Sequence, residues 1–307
     1  MPDDALIEKL DRLINALQSG SASSANADPE LAALAAIATN LRGLPDENFQ
    51  KRLKSDLQRK ATMRTSHLTP FIVVPDASEL IDFLKRTFGA QEASRHPHGG
   101  GFVAAVKIGD SDLLIMGGES VRGQERFGAF HVFVPDCNAT YDRAIQAGGT
   151  SMGEPADRPY GERSGSVKDA FGNYWYIATL LEGPPHTEGL GTVTPYAHPM
   201  KARPFIDFMK KAFNAQELAV YEQGGRVMHA AVRIGNTVME MGESPDFQPS
   251  SFYLHVDDCD AVYQSAIAAG ATSLWPPTDQ SWGDRTAGLV DPFGYQWMPS
   301  TPVKKAR

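Results

Sequence analysis

The hydrophobic positions of this chain follow two spacings, one typical of helices and one typical of strands. Near the N-terminus, Leu6, Leu10, Leu13 and Leu17 recur at helical spacing and form one apolar stripe. From residue 69 onward, short β-branched or aromatic runs such as FIVV and HVFV precede amphipathic helical patterns, and short strands with glycine-containing turns follow. The pattern therefore predicts a helical segment over residues 1–64, followed by a repeated unit of strand, helix and further strands.

The N-terminal helical segment has an apolar stripe that it cannot bury by itself. We therefore expect these helices to pack on the rest of the chain or on a second subunit, as in a homodimer. A second interpretation stays open, in which residues 1–64 form an arm that binds another protein.

The rest of the chain contains two copies of one sequence. TPFIVVPDASELIDFLKRTFGAQE, beginning at Thr69, matches TPYAHPMKARPFIDFMKKAFNAQE, beginning at Thr194. HVFVPDCNATYDRAIQAGGT at His131 matches YLHVDDCDAVYQSAIAAGAT at Tyr253, and DAFGNYW and DPFGYQW close the two copies. Self-similarity of this length and order predicts two domains with one fold, and each copy contains the strand-helix-strands unit twice.

This arrangement resembles the vicinal oxygen chelate superfamily, which includes glyoxalase I, bleomycin-resistance proteins and extradiol dioxygenases. The likeness rests on F-x-x-x-F-G/N-A, on a helix ending A-x-x-A-G, and on D-x-F-G before the last strand, over roughly residues 68–182 and 192–300. It is closest to the metal-poor branch of glyoxalase-like and antibiotic-binding proteins. The resemblance implies an α+β fold of tandem glyoxalase-like domains over 65–184 and 190–303, each with two βαβββ units that form a curved sheet, preceded by the α-helical segment 1–64.

The resemblance also locates the positions that hold a metal ion in the enzymes of this superfamily. In the first repeat they fall on Thr69, Leu114, Ala129 and Tyr176, and in the second on Thr194, Glu240, Ser251 and Met298. Only Glu240 is a good ligand for nickel, zinc, manganese or ferrous iron, and one carboxylate does not hold such an ion. The resemblance therefore implies that the family's metal site is lost. We expect no cofactor, with a divalent metal ion as the alternative.

The second repeat carries most of the residues that we expect to bind a ligand. Glu240, His198 and His255 are the catalytic candidates if the protein is an enzyme, either as a displaced metal site with His229 or as a metal-free acid-base pair. Aromatic residues at strand spacing are also ordinary core residues, and the first repeat looks like a structural or pseudo-binding half. The ligand-binding candidates are Tyr196, His198, His229, Met239, Glu240, Tyr253, His255, Trp282, Arg285 and Met298.

The matching loops YGER and WGDR each end in an arginine before the last strands. Arg163 and Arg285 are expected to pair with Asp169 and Asp291 and fix the loops, although an arginine there could also clamp a ligand carboxylate or phosphate. The repeat-equivalent cysteines, Cys137 and Cys259, are expected to serve as inert small-residue packing.

Composition narrows the class of protein. A formal net charge of −8 offers no electrostatic reason to bind nucleic acid or an anionic membrane. No segment is long and apolar enough to span a bilayer, and the acidic start MPDDALIEKLDRL is unlike a signal peptide. The two cysteines are typical of a reducing compartment, so we expect a cytoplasmic location.

Three functional hypotheses follow from the sequence. The leading one is a glyoxalase/bleomycin-resistance-like protein that binds a small organic molecule without the family's metal. The second is a metal-dependent lyase, isomerase or dioxygenase of the same superfamily. The third is an interaction protein that acts through its N-terminal helices.

Overall fold

The predicted strand-helix-strands unit occurs four times in the computed structural model, which describes residues 67–181, 189–246 and 250–303. The predicted helical segment 1–64 lies outside these described residues. None of the helices in the described part of the chain has the length and apolar character needed to cross a bilayer.

Each unit consists of one strand, one helix and three further strands. The first unit contains β1 (His67–Val74), α1 (Ala77–Phe88), β2 (Gln91–His98), β3 (Gly101–Ile108) and β4 (Ser111–Gly118), and the second contains β5 (Ala129–Phe133), α2 (Cys137–Gln146), β6 (Thr150–Arg158), β7 (Glu162–Lys168) and β8 (Tyr174–Leu180). The third contains β9 (Val193–Ala197), α3 (Ala202–Phe213), β10 (Gln216–Gln223), β11 (Arg226–Ile234) and β12 (Thr237–Met241), and the fourth contains β13 (Ser251–His255), α4 (Cys259–Ala268), β14 (Thr272–Asp279), β15 (Asp284–Val290) and β16 (Gln296–Pro302).

Each helix begins at a carboxylate that accepts a hydrogen bond from a backbone N–H group of the first turn. Asp76, Asp136 and Asp258 provide this cap for α1, α2 and α4 from their own N-cap positions. Helix α3 has no side-chain cap of its own, and Glu243, which is distant in sequence, accepts from the backbone N–H of Ala202 at 2.9 Å instead. A carboxylate therefore caps the first turn of the helix in all four units.

The two sheets each combine one unit from each repeat. Sheet A has the strand order β14-β15-β16-β13-β1-β4-β3-β2, and sheet B has the order β10-β11-β12-β9-β5-β8-β7-β6. The antiparallel pairs β1–β13 and β5–β9 join the units, with Thr69 opposite Tyr253 in sheet A and Ala129 opposite Tyr196 in sheet B. The predicted fold of tandem glyoxalase-like domains is confirmed, but the units share sheets across the repeats and not within one repeat.

The hydrophobic cores, in contrast, lie almost entirely within the repeats; Leu68 of β1 and Val193 of β9 each belong to the cluster of the other repeat. In the first repeat, Ile72 of sheet A and Trp175 of sheet B belong to one buried cluster that also contains the apolar faces of α1 and α2. In the second repeat, Phe205 of α3 and Trp297 of β16 belong to a separate cluster. Each repeat therefore has its own core, as a domain does, while the sheets connect the two repeats.

The repeated DAFGNYW and DPFGYQW segments form a buried clasp around an aspartate. In the second copy, Asp291 accepts hydrogen bonds from the backbone N–H groups of Phe293 and Tyr295 and from the indole N–H of Trp297. In the first copy, Asp169 accepts from Trp175 at 3.0 Å in the same way. The aspartate thus fixes the turn before the last strand and orients the tryptophan at the centre of the core.

The expected pairing of the two arginines with these aspartates is wrong. Arg163 contacts Asp157 at 2.8 Å, and Arg285 contacts Asp279 at 2.8 Å and also Asp260. These partners are exposed carboxylates on neighbouring elements. The aspartates of the clasp accept hydrogen bonds from tryptophan and backbone donors. The two arginines instead form ion pairs with the exposed carboxylates of Asp157, Asp260 and Asp279.

Replacement of Asp291 by alanine should destabilise the protein by roughly 2–4 kcal/mol, because three donors, two of them in buried hydrogen bonds, would lose their acceptor. Trp297→Phe should cost less, since it removes one donor and keeps most of the ring. Urea denaturation measures both. Asp260→Ala is the matched control, because its ion pair with Arg285 is exposed and such pairs contribute little. An Asp291→Ala variant as stable as the wild type would refute the structural role of the clasp.

Candidate functional site

The inner face of each sheet is set by strand alternation. In sheet B, His131 and Glu240 point away from the core, while their neighbours Val132 and Met239 lie in the two hydrophobic clusters. The eight family positions therefore regroup. Sheet A receives Thr69, Leu114, Ser251 and Met298, and sheet B receives Ala129, Tyr176, Thr194 and Glu240. We call the inner faces hollow A and hollow B.

Hollow B contains a buried cluster of ionisable side chains from both repeats. His131 Nδ1 lies 2.8 Å from Glu240 Oε2, and His131 Nε2 lies 3.3 Å from Glu162 Oε2. His229 Nε2 lies 3.6 Å from the other oxygen of Glu240. The side chains of His131, Glu162 and Glu240 are only 12%, 10% and 5% exposed, whereas His229 is 41% exposed at the edge. One imidazole ring therefore bridges two nearly buried carboxylates.

The environment of His131 favours its charged form. Burial, the largest single effect, would lower its pKa, but the close contacts and charges of Glu162 and Glu240 together outweigh burial and raise the pKa to about 9. His131 is thus an imidazolium at neutral pH. Its Nδ1–H donates to Glu240, whereas its Nε2 lies beside the Glu162 carboxylate in an ion pair without a hydrogen bond.

A second polar group lies further along the same face. The Tyr176 hydroxyl and His198 Nε2 are 3.0 Å apart, and the ring of Tyr196 is 5.3 Å from Tyr176 and 5.0 Å from His198. Burial lowers the pKa of His198 to about 4, partly opposed by Asp246, and raises the pKa of Tyr176 to about 12. Both groups are therefore neutral at physiological pH. They form an uncharged, hydrogen-bonding wall beside the charged cluster.

The residues of hollow B do not fit the metal site that the fold family uses. Glu240 and Glu162 lie on opposite nitrogens of one ring, so an ion bound to either nitrogen cannot reach both carboxylates at the usual 2.0–2.2 Å. Tyr176 and Thr194, at the other family positions, offer neutral hydroxyls. Among residues 67–181, 189–246 and 250–303, no three His, Cys, Asp or Glu side chains are placed to hold one metal ion.

Hollow A carries uncharged side chains where hollow B has His131 and Glu240. Tyr253 stands where hollow B has His131, and its hydroxyl donates to Asp284 at 3.0 Å and lies 2.7 Å from Ser300 Oγ. Leu114 stands where hollow B has Glu240. The ring of His255 stacks on His67 with 4.0 Å between centroids, and burial followed by the charge of His67 lowers the pKa of His255 to about 4.

The catalytic set expected from the sequence is not assembled. Glu240 and His198 lie in hollow B, whereas His255 lies in hollow A on the other sheet. The separation arises because the two units of the second repeat belong to different sheets, and each histidine comes from one of these units. Both the displaced metal site and the acid-base pair with His255 are therefore wrong.

The ligand-binding candidates expected from the sequence lie in four different places: hollow B, hollow A, the hydrophobic core and the surface. Tyr196, His198, His229 and Glu240 lie together in hollow B, and Tyr253, His255 and Met298 lie in hollow A. Met239 is wrong as a pocket residue, since it belongs to the hydrophobic core. Trp282 is 58% exposed at the rim of hollow A beside Tyr253, and Arg285 is held by surface carboxylates.

Sequence reasoning missed the contribution of the first repeat. His131, Glu162 and Tyr176 form half of hollow B, although the first repeat looked like a structural half. Glu162 could have been found from the alignment of YGER with WGDR, because Asp284 occupies the matching position and also points into its hollow. Strand alternation in the sequence does not indicate which two units pair in one sheet, and therefore which side chains share a hollow.

The two hollows also differ at one edge. In hollow A the indole ring of Trp275 covers Gly288, where a Cβ would come within 2.4 Å of the ring. Gly288 pairs with Trp275 across the strands, and the equivalent pair in hollow B is Gly153 with Ser166. At the equivalent edge of hollow B, Gly153 and Ser166 carry no aromatic side chain.

The cysteines occupy equivalent buried places at the starts of α2 and α4. The Cys137 and Cys259 thiols each donate to a backbone carbonyl at 3.2 Å, of Ile177 and Pro299 respectively. Burial raises both thiol pKa values, that of Cys259 to about 11. These thiols are protonated packing groups, in agreement with the sequence-based expectation.

The fold and the paired hollows define a tandem protein of the glyoxalase type. The chain belongs to the Glyoxalase/Bleomycin resistance protein/Dioxygenase superfamily, whose family model matches residues 64–177 and 201–298. Uncharacterised proteins of Mycobacterium bovis and Mycobacterium tuberculosis are each 40% identical to it over 115 residues. The matched segment covers 33% of this chain, 76% of the M. bovis protein and 68% of the M. tuberculosis protein.

Solved structures of the same architecture cover more of the chain at lower identity. Glyoxalase I from Zea mays superimposes with a TM-score of 0.62 and 15% identity, over 78% of this chain and 94% of the maize chain. A proposed dioxygenase from Bacillus subtilis has a TM-score of 0.53 and 14% identity, over 76% of this chain and 84% of its own. Because these identities are low, the likeness establishes the shared fold and not a shared reaction.

His131→Tyr should destabilise the protein by about 3 kcal/mol, because it removes the cation that partners the buried Glu240. The double variant His131→Tyr/Glu240→Leu should recover most of this loss, since it installs the residues that hollow A has at these positions, Tyr253 and Leu114. Chemical denaturation measures both. If the double variant is no more stable than the single one, the carboxylate is not the source of the cost.

The stability of the wild type should fall as the pH rises through the range of His131 titration. The folded-state pKa of His131 is raised from 6.5 to about 9, so its stabilisation is fully present below pH 6.5 and is lost as the pH passes 9. The expected loss is on the order of 3 kcal/mol. Denaturation curves between pH 6 and 10 test this, with His131→Tyr/Glu240→Leu as the reference in which this slope should be absent.

Proposed function

We propose that this protein binds a small organic molecule in hollow B and that hollow A is not a binding site. The observation that carries the proposal is a pair of buried polar atoms without hydrogen bonds. Glu162 Oε2 and His198 Nδ1 both have no hydrogen-bond partner in the structure. A buried polar atom without a partner costs about 1–3 kcal/mol, so a ligand that supplies the missing bonds gains that energy on binding.

Hollow A serves as an internal comparison for this argument. There the carboxylate equivalent to Glu162 is Asp284, which accepts from Tyr253 at 3.0 Å and from Ser300 at 3.2 Å. The position equivalent to His198 is Val73, which needs no partner. The same scaffold therefore satisfies its polar groups in one hollow and leaves two buried polar atoms without hydrogen bonds in the other, which favours hollow B as the binding site.

The residues at one edge of the two hollows support the same assignment. Trp275 lies over Gly288 in hollow A, whereas Gly153 and Ser166 leave the equivalent edge of hollow B without an aromatic ring. Tyr176 and Tyr196 offer hydroxyl-bearing aromatic walls, which suit a flat or amphipathic organic molecule. The proposal includes no resident metal ion, because the donors of hollow B do not converge on one point.

Filling the open edge of hollow B should abolish ligand binding. Gly153→Trp/Ser166→Gly reproduces the pair that hollow A already has, Trp275 over Gly288, so the fold accommodates this arrangement. Ligand-observed NMR with a library of small aromatic fragments should detect binding to the wild type and at least a tenfold loss in this variant, as expected for about 1.4 kcal/mol or more of lost contacts.

The matched control reverses the exchange in the other hollow. Trp275→Gly/Gly288→Ser should leave fragment binding unchanged, because it alters hollow A alone. Binding should also survive dialysis against EDTA. Fragments that bind the filled variant as tightly as the wild type would refute hollow B as the site, and a loss of binding after dialysis would refute the metal-free proposal.

A further inference from the structure

We infer that the ligand of hollow B is an organic cation whose ammonium, amidinium or guanidinium N–H groups bind the Glu162 and Glu240 carboxylates. This inference rests on the proposed function, because it specifies the chemistry of the molecule that hollow B would take. It depends on three features of the site: its local charge, the unpaired oxygen of Glu162, and the neutral wall at its far end.

The first feature is an excess of negative charge on the floor of the hollow. Glu162 and Glu240 supply two carboxylates, and the imidazolium of His131 is one cation between them. The three side chains are at most 12% exposed, so the remaining negative charge is poorly screened by solvent. His229 is the fourth ionisable group in contact, and it lies at the exposed edge. A cation in this place completes the charge balance.

The second feature is the carboxylate oxygen of Glu162 that accepts no hydrogen bond. Glu162 Oε2 contacts His131 Nε2 at 3.3 Å but accepts no hydrogen bond, and its side chain is nine-tenths buried. A carboxylate oxygen can only accept, so the missing partner must be a donor. A donor that is also charged forms a shorter and stronger bond than a neutral one, which favours an N–H cation over an alcohol.

Other basic side chains of this face are engaged elsewhere. Arg158 lies opposite Glu162 in the strand ladder, but its guanidinium binds the hydroxyl of Ser164 at 3.3 Å and the Ser164 carbonyl at 3.1 Å. The Lys168 ammonium lies 5.1 Å from the centre of the Tyr174 ring. In the described part of the chain, the ion pairs within 4.0 Å of Glu162 and Glu240 are made by histidine rings and not by Arg or Lys.

The third feature is the neutral end of the hollow. Tyr176, Tyr196 and His198 are grouped through ring contacts and one hydrogen bond, and the pKa shifts keep Tyr176 and His198 uncharged. This end suits the uncharged part of a ligand, with His198 Nδ1 available for one polar group. The ligand class is therefore a compact aromatic or cyclic body that carries a cationic nitrogen on a short arm.

Matched probes that differ only in the end group test this inference. Tryptamine, tryptophol and indole-3-acetate share one ring and carry an ammonium, a hydroxyl and a carboxylate; phenethylamine, 2-phenylethanol and phenylacetate repeat the series on a second ring. Binding is measured by ligand-observed NMR on the full chain. The ammonium member of each series should bind at least about tenfold more tightly than its alcohol and carboxylate partners, as expected for a charge-assisted hydrogen bond.

Two variants then test whether the preference for ammonium probes depends on Glu162. Glu162→Gln should remove the preference for the ammonium probes, while Glu154→Gln, on an exposed position of β6, should keep it. If the alcohol or carboxylate probes bind as tightly as the ammonium ones, and the Gly153→Trp/Ser166→Gly variant abolishes that binding, the cation inference is wrong and the proposed site stands. If none of the probes shows binding that this variant abolishes, the proposed function fails together with the inference.

Discussion

The antiparallel pairing of β5 with β9 is the interaction on which hollow B depends. It places Ala129 opposite Tyr196 and His131 opposite Thr194, so residues from different repeats face one another across a single strand boundary. The pairing of β1 with β13 does the same for sheet A. Without these two ladders, each repeat would keep its own core but neither hollow would have two sides.

The core residues and the residues of the hollows lie on opposite faces of the strands. This arrangement explains how two copies of one sequence can have different inner faces. The residues that stabilise each repeat, such as Trp175 and Trp297 with their buried aspartates, point away from the hollows. Because strand side chains alternate between faces, the inner positions can change without disturbing the cores. His131 and Glu240 in hollow B correspond to Tyr253 and Leu114 in hollow A, and both sets are accommodated by one backbone.

The ionic cluster of hollow B is not required by the fold, which makes its presence informative. A buried arrangement of two carboxylates around one imidazolium is generally no more stabilising than apolar residues of the same size, and hollow A demonstrates that uncharged residues, Tyr253 and Leu114, fit at two of the three positions. Its unpaired Glu162 oxygen adds a further penalty. Groups that weaken a fold are typical of functional sites, where the energy lost in folding is recovered in binding.

The sequence by itself determined the repeat and the four strand-helix-strands units, because self-similarity and local periodicity are written along the chain. The glyoxalase-like fold and the family's metal positions were implied by the resemblance, and residue chemistry indicates that most of these positions carry poor metal ligands. Glu240, Tyr196, His198 and His229 were also identifiable, because polar and aromatic residues on one strand face indicate a pocket.

Only the tertiary structure decided which units share a sheet, and therefore which candidates meet. The matching places of His198 and His255 in the two units of the second repeat suggested that they belong together. Because these units pair with different units of the first repeat, the two histidines lie in different hollows, and His131 contacts Glu240 and Glu162 instead. Strand pairing between distant segments depends on the packing of the whole chain, and the two-residue period of a strand is the same whichever partner it has.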